Sequence, residues 1–267
     1  SDCSSHDQAI PLATDIGIAR QGTFDAAAFE RAIADLLGAC GLDAAGPHMG
    51  RTPQRVRELW QRRLLGGYDL DPAEALGEGF ADPRGDMVVV RGIAVHGVCP
   101  HHLVPFRGLA HVAYLPGGRL HGFGRIARLV DAIGHRFTYQ EWMTRDIAEA
   151  LMRHGKARGA ACVVEAEQLC LLLGEDRRGD ERVITQAFTG EFQHSEHSEH
   201  AAQARNEFLR AIATAAASKE TRTPAQLSSV VATFTADGAD DTRGCHGAIA
   251  DCGADAIINT FTDPGIQ

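Results

Sequence analysis

The segment Cys99-Pro100-His101-His102-Leu103-Val104-Pro105-Phe106 constrains this chain more than any other. A thiol and two imidazoles fall within four residues, between two stretches of β-branched and alternating residues. Zinc takes Cys sulfur and His nitrogen, and a catalytic zinc keeps three protein ligands and an open position for water. A single Cys or His is ordinarily structural; the cluster is what points to a metal. A further ligand has to come from elsewhere. Cys170, just past the apolar run 160–167, is the best-placed candidate. Cys162 lies inside that run and reads as a core residue. Cys40, Cys245 and Cys252 bring no partner pattern. Seven cysteines, an odd number at irregular spacing, argue against a disulfide framework and for a reducing, cytoplasmic setting.

Hydrophobic periodicity places this cluster in a mixed fold. Phe24, Ala28, Phe29, Ile33, Leu36 and Leu37 recur at three and four residues, so a helix is expected from about residue 23. Thr52 and Pro53 mark a second start, with Thr52 as the expected N-cap and Val56, Leu59, Trp60 and Leu64 on its apolar stripe. Residues 87–90, 93–98 and 109–115 read as short antiparallel strands. Helices are expected over 125–135 and 139–154, the second capped by Thr138. Strands follow at 160–167 and 183–188, and a last helix over 199–216. Helices and strands in blocks mean α+β, not a βαβ alternation. The expected organisation is a flexible arm over 1–22, a helical region over 23–85, a catalytic domain over 86–217, and a weakly patterned, disordered tail over 218–267.

The charge balance narrows the partners. With 26 basic and 35 acidic residues the net charge is −9, which disfavours non-specific nucleic-acid binding. A small anion remains compatible if arginines cluster locally. No stretch is long and apolar enough to span a membrane, and the first residues lack the succession of a secretory signal.

Several segments, in order, resemble one family. Val98 to Phe106 resembles the GTP cyclohydrolase I signature Cys-Glu-His-His-Leu-x-Pro-Phe. His111-Val-Ala-Tyr-Leu-Pro116, Gly122-Phe-Gly-Arg125-Ile-Ala-Arg128 and Gln140-Glu141-Trp-Met-Thr144 resemble the motifs that follow it. Thr52-Pro53-Gln-Arg55, the stretch 165–170, Thr189-Gly-Glu-Phe192 and Arg205-Asn-Glu-Phe-Leu-Arg210 also fit, so the likeness covers about residues 24–213. The resemblance implies the tunnelling fold: an antiparallel sheet with helices packed on one face, in subunits that assemble into a ring, a decamer in this family. It implies that Cys99, His102 and Cys170 hold Zn²⁺, which activates water to attack C8 of the guanine of GTP. It further implies that His101 shuttles protons, that Glu141 and Gln140 meet the guanine, and that Arg125 and Arg128 bind the triphosphate. Arg55 reads as a surface residue, His111 as a core or edge residue, and the histidine cluster over 194–200 as a solvated loop.

The chain departs from the family pattern in four places, the Gly124–Arg125 pair being one of them. Pro100 stands for Glu, Gly124 for Ser, and Arg125 for Lys. Gln168 stands where a second catalytic His is usual, and the Arg-Gly pair after Cys170 is missing, although Arg177 and Arg178 lie nearby. Gln can hydrogen-bond but cannot exchange a proton near neutral pH. Three outcomes therefore remain open. The chain completes the reaction to 7,8-dihydroneopterin triphosphate and formate; or it stops early, at the ring-opened formamide or an 8-oxoguanine nucleotide; or it is an inactive nucleotide-binding regulator.

Overall fold

A computed structural model describes residues 18–174, 181–193 and 199–220. Helices α1 (Ala26–Ala39), α2 (Thr52–Leu59) and α3 (Pro72–Leu76) come first, then strands β1 (Phe80–Ala81), β2 (Val88–Val98), β3 (Pro105–Leu115) and β4 (Arg119–Leu120). Helices α4 (Phe123–Gly134) and α5 (Gln140–Arg153) follow. The chain closes with β5 (Gly159–Gln168), the one-turn α6 (Leu169–Leu172), β6 (Val183–Gly190) and α7 (Glu199–Glu220). Contacts divide the chain into two units, 1–214 and 215–267, and of the second only the end of α7 is described. Residues 221–267 of the expected disordered tail, residues 194–198 of the histidine cluster, Arg177 and Arg178 lie outside the described residues, whereas 218–220, expected in that tail, continue α7. Among those described, no helix is long and apolar enough to cross a membrane.

The first helices form where expected, with different caps. Asp25 caps α1, its carboxylate accepting from Ala28 N at 2.9 Å. Thr52 is the first residue inside α2 and not its cap; Arg51 takes that place without a side-chain bond. Pro in the first turn starts this helix, and a π turn over Trp60–Leu64 ends it. Of the expected arm, residues 18–22 are described. Tyr68 Oη donates to Ile18 O at 2.8 Å, and Arg20 pairs with Asp69 at 2.6 Å.

The sheet is fully antiparallel, ordered β2-β3-β5-β6, and β1 pairs separately with β4. The two runs expected as separate strands, 87–90 and 93–98, are one strand with a bulge between Val90 and Ile93. Gly92 sits in the bulge at φ +74, where a side chain would strain the backbone, and its N–H points at His111 Nδ1, 3.4 Å away.

Alternation along the strands sends Phe106, Ala110, Val112 and Tyr114 of β3, and Ala160, Cys162, Val164 and Ala166 of β5, to one face. There they meet Ile126, Leu129 and Ile133 of α4 and Met143, Ile147 and Leu151 of α5. Cys162 is a core residue, as its place in the strand implies, and burial pushes its thiol up. The opposite face is not bare: Ala113, Ala161 and Val163 pack under Phe192 and under Phe208 of α7. Helices thus cover one face broadly and the other at one end.

One buried contact makes stability depend on pH. His135, at the end of α4, stacks flat on His96 of β2 with ring centroids 3.7 Å apart. His96 Nε2 donates to Arg63 O at 2.9 Å. Burial pushes the His135 imidazole down to about 4, and His96 and Arg63 act in the same direction. Asp131 lies 3.4 Å from His135 Nε2, yet burial raises its carboxyl against His96 and Arg128. The opposed shifts mean that desolvation outweighs attraction here, and the imidazole stays neutral. An unfolded His accepts a proton below about pH 6.5, whereas folded His135 refuses it until about 4. The stabilisation is therefore full above pH 6.5 and lost as pH falls through that window, by about 3 kcal/mol in total. Asp131 has the opposite sign, so the comparison needs a variant. Urea midpoints at pH 7 and pH 5 will differ less for His135→Gln than for the parent chain.

Candidate metal centre

The centre is built where two strand ends meet. Val98, the last residue of β2, is fully buried. Its N–H donates to Arg136 O at 3.0 Å and its carbonyl accepts from Thr138 N at 3.1 Å, which anchors the strand end beside the α4–α5 connection. A Cβ on Gly97 would lie 2.5 Å from the Phe106 ring and 3.0 Å from Gly134 O, so only glycine lets β2 run this close to α4. Beyond Val98 the chain turns sharply. Cys99 N donates to Val104 O, and Leu103 N to Cys99 O, both at 2.9 Å. Leu103 completes the turn at φ +57, a left-handed conformation costing a branched residue about 1 kcal/mol or more.

This turn brings Cys99 Sγ within 3.7 Å of His102 Nδ1. The third donor arrives from β5. The β3–β5 register pairs Phe106 with Gln168, so β5 ends beside the turn, and α6 begins at once with Leu169 and Cys170. The Cys99 and Cys170 sulfurs and a His102 ring nitrogen all lie within 4.8 Å of one another. Cys99 is buried, Cys170 half-buried and His102 exposed. Burial and the neighbouring Cys99 push the Cys170 thiol up. Two sulfurs and an imidazole nitrogen suit zinc, and three protein donors leave room for a further ligand. The residues present fit such an ion.

The remaining sequence candidates sit at different distances from this group. His101 is exposed, and its Nε2 lies 3.1 Å from Tyr139 Oη. Glu141 is exposed in the first turn of α5. Gln140 is 3 % exposed, and its amide is fully engaged. Nε2 donates to Val164 O at 3.1 Å and to Val183 O at 2.8 Å, and Oε1 accepts from Gln168 Nε2 at 2.5 Å. Both amides named from the sequence are thus bonded to each other. Arg125 and Arg128 are exposed on α4, Arg125 reaching Glu74 O at 3.4 Å. The hydrogen bonds of the described residues tie neither arginine to the Cys–His group. Arg55 is exposed on α2, as a surface residue should be.

Tyr139 is a neighbour of His101 that sequence reasoning misses. It is not inside the helix, as the spacing suggests, but caps it in an extended conformation. Thr138, the expected cap, instead donates to Tyr139 O at 3.2 Å. A tyrosine directly before a Gln-Glu pair is the available signal, and it reads equally as a first-turn aromatic.

An antiparallel sheet, helices on its faces and a Cys–His–Cys group at a strand end define the class: an α+β protein with three donors that could hold a metal ion. A family model described as GTP cyclohydrolase I matches residues 29–213. The curated GTP cyclohydrolase 1 of Ralstonia nicotianae is 66% identical over 210 residues, covering 78% of this chain and 98% of that protein. That of Chromobacterium violaceum is 70% identical over 189 residues, 71% of this chain and 89% of its own length. That of Brucella canis is 42% identical over 165 residues, 61% and 77% respectively. The chain belongs to the GTP cyclohydrolase I family and has its tunnelling fold.

Proposed function

We propose that this chain is a zinc-dependent GTP cyclohydrolase that opens the imidazole ring of guanine at C8. The observation that carries this reading is the convergence of Cys99, His102 and Cys170 within 4.8 Å in a chain of this family. These three residues would hold the ion, with the exposed His101 next to one of them. Zinc bound there supplies the Lewis acidity that makes water a nucleophile near neutral pH.

The protein's own residues do the rest. Glu141 accepts from guanine N1–H and the 2-amino group, two adjacent donors that one carboxylate can satisfy. Arg125 and Arg128 neutralise the triphosphate, a tetra-anion that an acidic protein would otherwise repel. His101 takes the proton released as the water oxygen bonds to C8, and returns it to the ring nitrogen freed when the C8–N bond breaks. Gln168 moves no proton; its amide holds Gln140, and Gln140 holds the ends of β5 and β6 to α5. The working form is a ring of identical subunits, a decamer by family likeness, acting in the cytoplasm.

Gln168 favours a second reading, in which turnover stops at the ring-opened formamide, or the C8 hydrate stays ring-closed and loses two electrons to an oxidant such as dissolved dioxygen to give an 8-oxoguanine nucleotide. Mass spectrometry of GTP incubated with the zinc-loaded protein separates the outcomes. Dihydroneopterin triphosphate with one formate per GTP is expected. Accumulating formamide or 8-oxo product supports the second reading. GTP recovered unaltered from a metal-loaded protein would overturn both.

A further inference from the structure

We propose that Tyr139 is the positioning residue that orients His101. This rests on the reading of His101 given above. Tyr139 Oη lies 3.1 Å from His101 Nε2, with the two rings 5.3 Å apart and tilted by 54°. A hydrogen bond at that distance occupies Nε2. With Nε2–H donating to the phenol oxygen, the lone pair sits on Nδ1, and that nitrogen handles the proton.

Tyr139 is held through both its ring and its backbone. Its ring packs edge-on against Trp142, with centroids 4.6 Å apart and planes at 77°. Its carbonyl accepts from Met143 N at 3.0 Å and from Thr138 Oγ1 at 3.2 Å. One residue on, Gln140 bonds β5 and β6 through Val164 O and Val183 O. Thr144, one turn further, bonds Gln140 O at 2.7 Å and Thr185 Oγ1 at 2.6 Å. The start of α5 is therefore clamped to the sheet.

From that clamp two consecutive side chains reach the two arms of the metal centre. Tyr139 reaches His101, the neighbour of His102. Gln140 reaches Gln168, two residues before Cys170. The two contacts differ in chemistry. The Gln140–Gln168 bond joins two amides and fixes position only. The Tyr139–His101 bond joins a hydroxyl, which both donates and accepts, to a group that exchanges protons. An exposed imidazole on a turn would otherwise rotate about χ2 and lose its tautomer preference.

Tyr139→Phe keeps the ring and its packing on Trp142 and removes only the hydroxyl. The expected result is a fall in kcat of about ten-fold, with KM for GTP, bound zinc and thermal midpoint unchanged. In a His101→Ala background the same change should have no further effect, because Tyr139 acts through His101. An unchanged kcat for Tyr139→Phe, or an equal loss in both backgrounds, overturns the proposal. A second readout does not depend on turnover: ¹⁵N NMR of the His101 ring in the zinc-loaded protein at one fixed pH. A single tautomer with Nε2 protonated is expected in the parent, and a tautomer mixture in Tyr139→Phe. A mixture in both overturns the proposal even if the parent converts no GTP. An inactive parent with the expected spectra would instead sink the functional reading alone.

Discussion

Cys170→Ser will strip the metal from the protein and abolish formate release from GTP, while the fold survives. The substitution leaves one thiolate and one imidazole, and a serine hydroxyl stays protonated near neutral pH where a thiolate would bind zinc. Loss of an outer partner that merely orients a ligand already costs about 10–100-fold in metal affinity or activity, so loss of a ligand itself should exceed that. Stability should change little beyond the metal's own contribution. Cys170 is only half-buried, at the start of the one-turn α6, and it lies outside both hydrophobic clusters. Cys162→Ser makes the contrast. Its sulfur is fully buried between the sheet and its helices, so a hydroxyl there costs fold stability, by about 1–3 kcal/mol, and leaves bound zinc intact. Zinc per chain and urea midpoint, measured on both variants, separate the two cysteines. Retention of stoichiometric zinc by Cys170→Ser would remove it from the donor set.

His101→Ala will keep the zinc and lower kcat by about 10²–10⁴-fold, the usual cost of a general acid–base group. The exposed imidazole is not needed for packing, and its ring faces Tyr139 and, edge-on at 6.2 Å, His102. Binding of GTP should hold, because Glu141, Arg125 and Arg128 remain. Steady-state kinetics should show the loss in kcat with little change in KM. The opposite pattern, a raised KM at full kcat, would make His101 a binding residue.

The Cys–His–Cys group is legible in the sequence because it combines a local and a periodic signal. Cys99 and His102 share one turn, so spacing alone nearly joins them. Cys170 is legible because a run of β-branched and small residues predicts a strand, and a cysteine just past its end lies near the sheet's rim. The site's braces are not legible, because strand register sets them. Gln140 meets Val164, Val183 and Gln168 across gaps of 24, 43 and 28 residues, and no local pattern encodes those gaps. The same amide therefore reads as a substrate contact in the sequence and is fully engaged inside the protein. Tyr139 is hidden by a one-residue ambiguity at a helix boundary, where a cap and a first-turn residue look alike. Packing of α7 on the second sheet face is hidden too. Ala113, Ala161 and Val163 are small or ordinary strand residues, and their face is covered by the distant Phe192 and Phe208.

The Cys99–His102–Cys170 centre is tested most directly by X-ray absorption at the zinc edge on the purified, metal-loaded chain. Two sulfur scatterers at about 2.3 Å, with nitrogen or oxygen filling the remaining positions at about 2.0–2.1 Å, are predicted. A shell containing no sulfur, or four protein sulfurs and nitrogens with no light-atom exchangeable position, would contradict the account.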